Sequence, residues 1–99
     1  MNPAGNSPSS QIMAPEQSRA ARAWLGWSQE ELARRSNVSV NTVRNFERGQ
    51  KPLHSNSVAA MRQAIEAAGM RLLFENSGTA AGIRRQETNP NRSGAADNT

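Results

Sequence analysis

Apolar positions recur at helical spacing through most of the chain between Pro15 and Ala68, and the period then changes. A first helix is predicted over about Pro15 to Leu25, with Pro15 in its first turn, Gly26 as its stop, and Ala21, Trp24 and Leu25 as its inward stripe. A second begins after Ser28, with Glu31 three residues on in capping-box spacing. It turns Leu32 and Ala33 inward and leaves Glu30, Glu31, Arg34 and Arg35 in water. Asn37, which tolerates positive φ, marks a sharp turn, and Ser39 caps a third helix. On that helix Val43, Phe46 and Glu47 share one face; Gly49 ends it and Pro52 prevents its resumption. A fourth is predicted from about Asn56 to Ala68, capped by Ser55 and closed by Gly69, with Val58, Met61, Ile65 and Ala68 as its stripe.

After Gly69, Met70, Leu72 and Phe74 alternate with Arg71, Leu73 and Glu75, the period of a strand. Asn76-Ser77-Gly78 is a turn signal, and Gly82 to Gln86 is the predicted return strand. Residues 1–14 and 87–99 are polar segments with too little apolar surface to offset ordering entropy and are expected to be disordered tails. The first tail holds neither Arg nor Lys, which argues against a basic arm for a minor groove.

Composition narrows the picture. Ninety-nine residues with 35% hydrophobic and 4% aromatic content allow one small core. Residues 15–86 carry eleven Arg and Lys against six Glu, a net +5 compared with +4 for the whole chain, so the basic balance belongs to the folded part and suits a polyanionic partner. With no cysteine and a single histidine, His54, neither a disulfide framework nor a metal site is expected, and no cofactor either. No nucleophile–base pair or Gly-rich phosphate loop is visible, so an enzyme is not expected. No apolar run approaches a membrane span and the N-terminus lacks signal-peptide character, so the expected location is cytoplasmic, with no membrane partner. Trp24 and Trp27 read as core residues and the methionines as gap fillers.

The runs Leu25 to Ala33, Val38 to Val43 and Phe46 to Gly49 together resemble the Cro/C1-type (Xre family) helix-turn-helix, over roughly residues 15–69. Asn37 stands where such sequences usually have Gly, and Ser18 where an apolar residue is common. The resemblance implies an all-α, lambda-repressor-like domain of four helices over residues 15–69, to which the residue pattern adds a β-hairpin over 70–86. It implies sequence-specific binding of double-stranded DNA, with Ser39, Val40, Asn41 and Asn45 at base-reading positions. Asn pairs with adenine, a thymine methyl would account for an outward Val40, and Arg44 reaches guanine or phosphate. Ser28 and Gln29 open the second helix, where a phosphate is favoured, and Arg48 and Lys51 flank Gly49 as further backbone contacts. Arg22 and Glu47 match a structural pair that bridges helices.

A single recognition helix reads few base pairs, so a homodimer on an inverted repeat is expected, with Leu72, Leu73, Phe74 and Ile83 of the hairpin as the candidate dimer element. The competing arrangement folds the hairpin onto the fourth helix of its own chain. Two functions are open: a regulator, chiefly a repressor, and an antitoxin or antiactivator acting on a protein partner. The polar cluster of Asn41, Arg44, Asn45 and Arg48 favours the first.

Overall fold

The computed structural model describes residues 11–50 and 54–86. Four helices come first: α1 (Pro15–Leu25), α2 (Gln29–Ser36), α3 (Val40–Glu47) and α4 (Ser55–Ala67). An antiparallel pair of strands follows, β1 (Met70–Phe74) and β2 (Ala80–Arg85).

Helix limits follow from local chemistry. Pro15 fits the first turn of α1, and Gly26 ends the helix in the left-handed region at φ 72°. The Ser28 hydroxyl accepts the Glu31 N–H at 3.0 Å, but the return half of the expected capping box is missing. The Glu31 carboxylate turns instead to Arg34 at 2.5 Å and Arg35 at 2.6 Å. Asn37 takes φ 60° between α2 and α3, the one non-glycine residue at positive φ among the described residues. Ser39 caps α3 by accepting the Thr42 N–H at 3.1 Å. Helix α4 begins one residue earlier than expected: Ser55 lies inside it, and His54 is its N-cap with no side-chain cap bond. Ala68 is exposed and lies outside the inward stripe, which consists of Val58, Met61 and Ile65.

The hydrophobic core joins all four helices and the hairpin through Ala21, Leu32, Ala33, Val43, Phe46, Val58, Met61, Ile65, Met70 and Leu72. Met13 joins them at 2% exposure, so the packed unit begins before Pro15, and the expected tail over 1–14 is too long. An unbranched thioether fills such a gap at little rotamer constraint. Residues 1–10 and 87–99, and with them the rest of the expected tails, lie outside the described residues, as do Lys51 and Pro52.

Trp24 departs most from expectation. It is 62% exposed and not part of the core. The inward face of α1 is set by Gln17, Ser18 and Ala21, with Arg22 half-buried beside them. Ser18 and Arg22 are drawn in by hydrogen bonds to Glu47, which rotates the stripe and leaves Trp24 at its margin on the last turn. Trp27 is half-buried against the core, with the Arg35 guanidinium 4.5 Å above its ring.

The hairpin packs chiefly against α1 and α4. Leu72 pairs with Ile83, and Met70 and Leu72 are buried while Phe74 and Ile83 lie against the core. The return strand starts at Ala80, two residues before the predicted Gly82, and its ladder with β1 shifts register between Leu73 and Phe74. Buried Gln17 ties this point to α1. Its side-chain amide donates to the Leu73 and Gly82 carbonyls at 3.0 Å each, and its oxygen accepts the Ala14 N–H at 2.9 Å. A lone hairpin is marginal in water, and this one is stabilised by burying one face and sharing that glutamine.

At Asn37, replacement by Gly should be neutral within a few tenths of a kcal/mol, whereas Asn37→Val should cost about 1–2 kcal/mol for a β-branched residue at positive φ. Urea unfolding of the two variants checks this; equal stabilities would refute it.

Candidate nucleic-acid interface

The turn between α2 and α3 is short because Asn37 reverses the chain in one residue, with the Val38 N–H bonded to the Ala33 carbonyl at 3.1 Å. This presses α3 against α2 and α1 through Val43 and Phe46 and leaves its opposite side in water. Ser39, Asn41, Asn45 and Arg48 are exposed there, and Arg44 is partly so. Val40 is half-buried and packs against the core edge, so core contact already accounts for its apolar side chain without a thymine methyl. Lys51 lies outside the described residues.

The orientation of α3 is fixed by one buried acid. Glu47 is 3% exposed and accepts five hydrogen bonds on its carboxylate. Arg22 donates from Nη2 to Oε1 at 2.7 Å and from Nε to Oε2 at 2.9 Å and Oε1 at 3.2 Å. Ser18 donates its hydroxyl to Oε2 at 2.6 Å, and Gln29 donates its amide to Oε1 at 3.1 Å. The arginine spends a further donor on the Trp27 carbonyl at 3.1 Å, and Arg19 donates to the Glu47 carbonyl at the end of α3. Burial alone would push the Glu47 carboxyl up. Hydrogen bonds from Arg22, Ser18 and Gln29 more than reverse this and hold it below the usual carboxylate range.

Gln29 therefore braces α3 from the first position of α2. Beside it, Ser28 satisfies the Glu31 N–H, while the N–H groups of Gln29 and Glu30 fall in the first turn, which has no intrahelical acceptors. That helix end is suited to a phosphate. The spacing of residues did not disclose Ser18, Gln17, Arg19 or Glu30 as contributors. Ser18 stood out only as a departure from an apolar pattern, and its position four residues before Arg22 places both on one face of α1. Glu30 reaches the exposed face of α3: its Oε2 lies 3.3 Å from Arg44 Nη2. The Asn41 side-chain oxygen lies 3.5 Å from Arg44 Nη1. Leu72, Leu73, Phe74 and Ile83 are not brought to this face; they belong to the hairpin, which packs chiefly on α1 and α4.

Among the described residues no group of three or more His, Cys, Asp or Glu could hold a metal ion, and no helix is long and apolar enough to cross a membrane.

A tight α2–α3 pair, locked by a buried acid and presenting a polar, basic outer helix face, defines a helix-turn-helix protein. A family model for the helix-turn-helix matches residues 19–66, from the second turn of α1 almost to the end of α4, and this match supports membership of the Cro/C1-type, Xre-like family. In general class it is a DNA-binding transcription regulator. No curated protein matches the chain.

Glu47→Ala strands the Arg22 charge and is expected to cost about 3–5 kcal/mol. Arg44→Ala removes only a surface pair worth about 1 kcal/mol or less. Equal melting temperatures would contradict the ranking. The folded Glu47 carboxyl lies below its unfolded value, so the stability it supplies is complete above that unfolded value, about 4.3. It is lost as pH falls through the folded value. Glu47→Gln should accordingly flatten the decline of unfolding free energy as pH falls below about 5. An unchanged decline would show that Glu47 carries none of it.

Proposed function

We propose that this protein is a repressor that binds an inverted-repeat operator in double-stranded DNA as a homodimer. The reading is carried by the exposed side of α3, where Asn41, Arg44, Asn45 and Arg48 stand together on a helix whose opposite side is fixed in the core. Asn41 and Asn45 can offer an amide to an adenine edge, and Arg44 a guanidinium to guanine. Ser28, Gln29 and Arg48 contact the phosphate backbone, with Lys51 following in sequence. Ser39 opens the helix at the groove, and Val40 sits beside it with part of its surface free. Repression follows from occlusion of promoter DNA.

Dimer formation on one face of the duplex supplies the length of sequence that a single helix cannot read. Leu72, Phe74 and Ile83 already pack within their own chain, so the hairpin's part in a dimer falls to Leu73, half-buried on the outward side beside Gly82, and to the strand edges. Leu73→Lys is then expected to halve the mass measured by light scattering while leaving the fold intact. A dimer of unchanged mass would move the interface elsewhere.

Selection from a randomised duplex pool at about 150 mM salt should enrich an inverted repeat with half-site centres about one helical turn apart. Asn41→Ala should then relax the preference at one base pair by about 1–3 kcal/mol. Arg48→Ala should weaken all sequences alike and reduce the salt slope by about 0.9 per protomer. A pool without enrichment would overturn the operator reading in favour of a protein partner, as for an antitoxin or antiactivator.

A further inference from the structure

We propose that Glu30 is a specificity-determining residue of the recognition face: its carboxylate holds the Arg44 guanidinium away from phosphate until a base edge engages it. This rests on the DNA-binding reading above. Of the five ion pairs among the described residues, three join residues three or four apart on one helix, and the buried Arg22–Glu47 pair fixes the fold. The Arg44–Glu30 pair is different. It spans two helices and 14 residues, and both side chains are exposed, at 40% and 65%. Helix spacing does not account for it, and an exposed pair of this kind adds little to stability. Its position is informative, since Glu30 stands in the first turn of α2, beside the expected phosphate site, and Arg44 stands among the base-reading side chains. An acid there lowers affinity for every duplex; what it can improve is discrimination.

The guanidinium carries five donors, of which Glu30 engages one and Asn41 another at 3.3 and 3.5 Å. A phosphate that captures Arg44 either displaces Glu30 or brings its own negative charge against the Glu30 carboxylate, and both are unfavourable. A guanine edge presents two acceptors at fixed positions and no net charge, so Arg44 can meet it with its remaining donors while Glu30 stays paired. Non-specific capture is thus penalised more than the specific contact.

The counterion balance makes this measurable. In the native protein Glu30 keeps Arg44 from neutralising a phosphate. In Glu30→Gln Arg44 is free to make that contact and release its counterion, so the salt slope on non-specific DNA should steepen by about 0.9 per protomer. Over a fourfold rise in salt the variant should lose roughly 3.5-fold more affinity than the native protein, per protomer, by the same slope. The experiment uses the full chain and measures binding to a duplex enriched from a random pool and to a scrambled duplex, for native protein, Glu30→Gln, Arg44→Gln and the double variant. Glu30→Gln is expected to keep its melting temperature, to bind the scrambled duplex more tightly and to lower the ratio of specific to non-specific affinity. In the Arg44→Gln background the steeper slope and the lower ratio should vanish, leaving only a uniform gain in affinity from the lost repulsion. Equal effects of Glu30→Gln in both backgrounds would reduce Glu30 to general repulsion and overturn the proposal, as would an unchanged slope and ratio. Native protein lacking salt-dependent affinity for either duplex would remove the DNA-binding reading itself, a distinct result.

Discussion

The structure depends on the carboxylate of Glu47. A buried acid is costly unless paired and hydrogen-bonded. Here the partners come from two other helices: Ser18 and Arg22 from α1, and Gln29 from α2. Each of these bonds constrains the angle at which α3 leaves the core. Apolar contacts at Val43 and Phe46 supply adhesion without direction, because hydrophobic burial is tolerant of small rotations. Directional bonds to Glu47 supply the orientation of the exposed face of α3.

A second buried polar residue of α1 does similar work. Gln17 spans from the N-terminus of α1 to carbonyls of both strands, where the ladder is irregular. Adjacent residues of one helix, Gln17 and Ser18, thus hold the hairpin and α3 respectively. The small core can keep a two-stranded hairpin ordered because its exposed carbonyls find this donor and because Met70 and Leu72 complete the packing of α4. The cost is that most of the hairpin's apolar side chains are used within the chain.

Local chemistry made most of the fold legible. Ser28, Asn37, Ser39 and Gly26 each act through bonds to residues within a few positions, so the limits of α1 to α3 follow from spacing alone. Trp24 lies outside the core for the opposite reason. Its periodicity is compatible with the core, but the face that α1 turns inward is decided by Glu47, 25 residues from Arg22. Met13, Gln17 and the early start of β2 also depend on contacts made across the chain. Within the site, the polar run on α3 was legible, whereas Val40's contact with the core and the Glu30–Arg44 pair arise only when α2 and α3 pack.

Hydrogen exchange of the α3 amides, compared between native protein and Glu47→Gln, tests the central claim most directly. If the carboxylate orders α3, exchange at Val43 to Glu47 in the native protein proceeds only with global unfolding. In the variant those amides should open locally while α4 and the hairpin keep their protection relative to the variant's own stability. Uniform loss of protection across α3, α4 and the hairpin would contradict the account and make Glu47 one contributor to general stability among many.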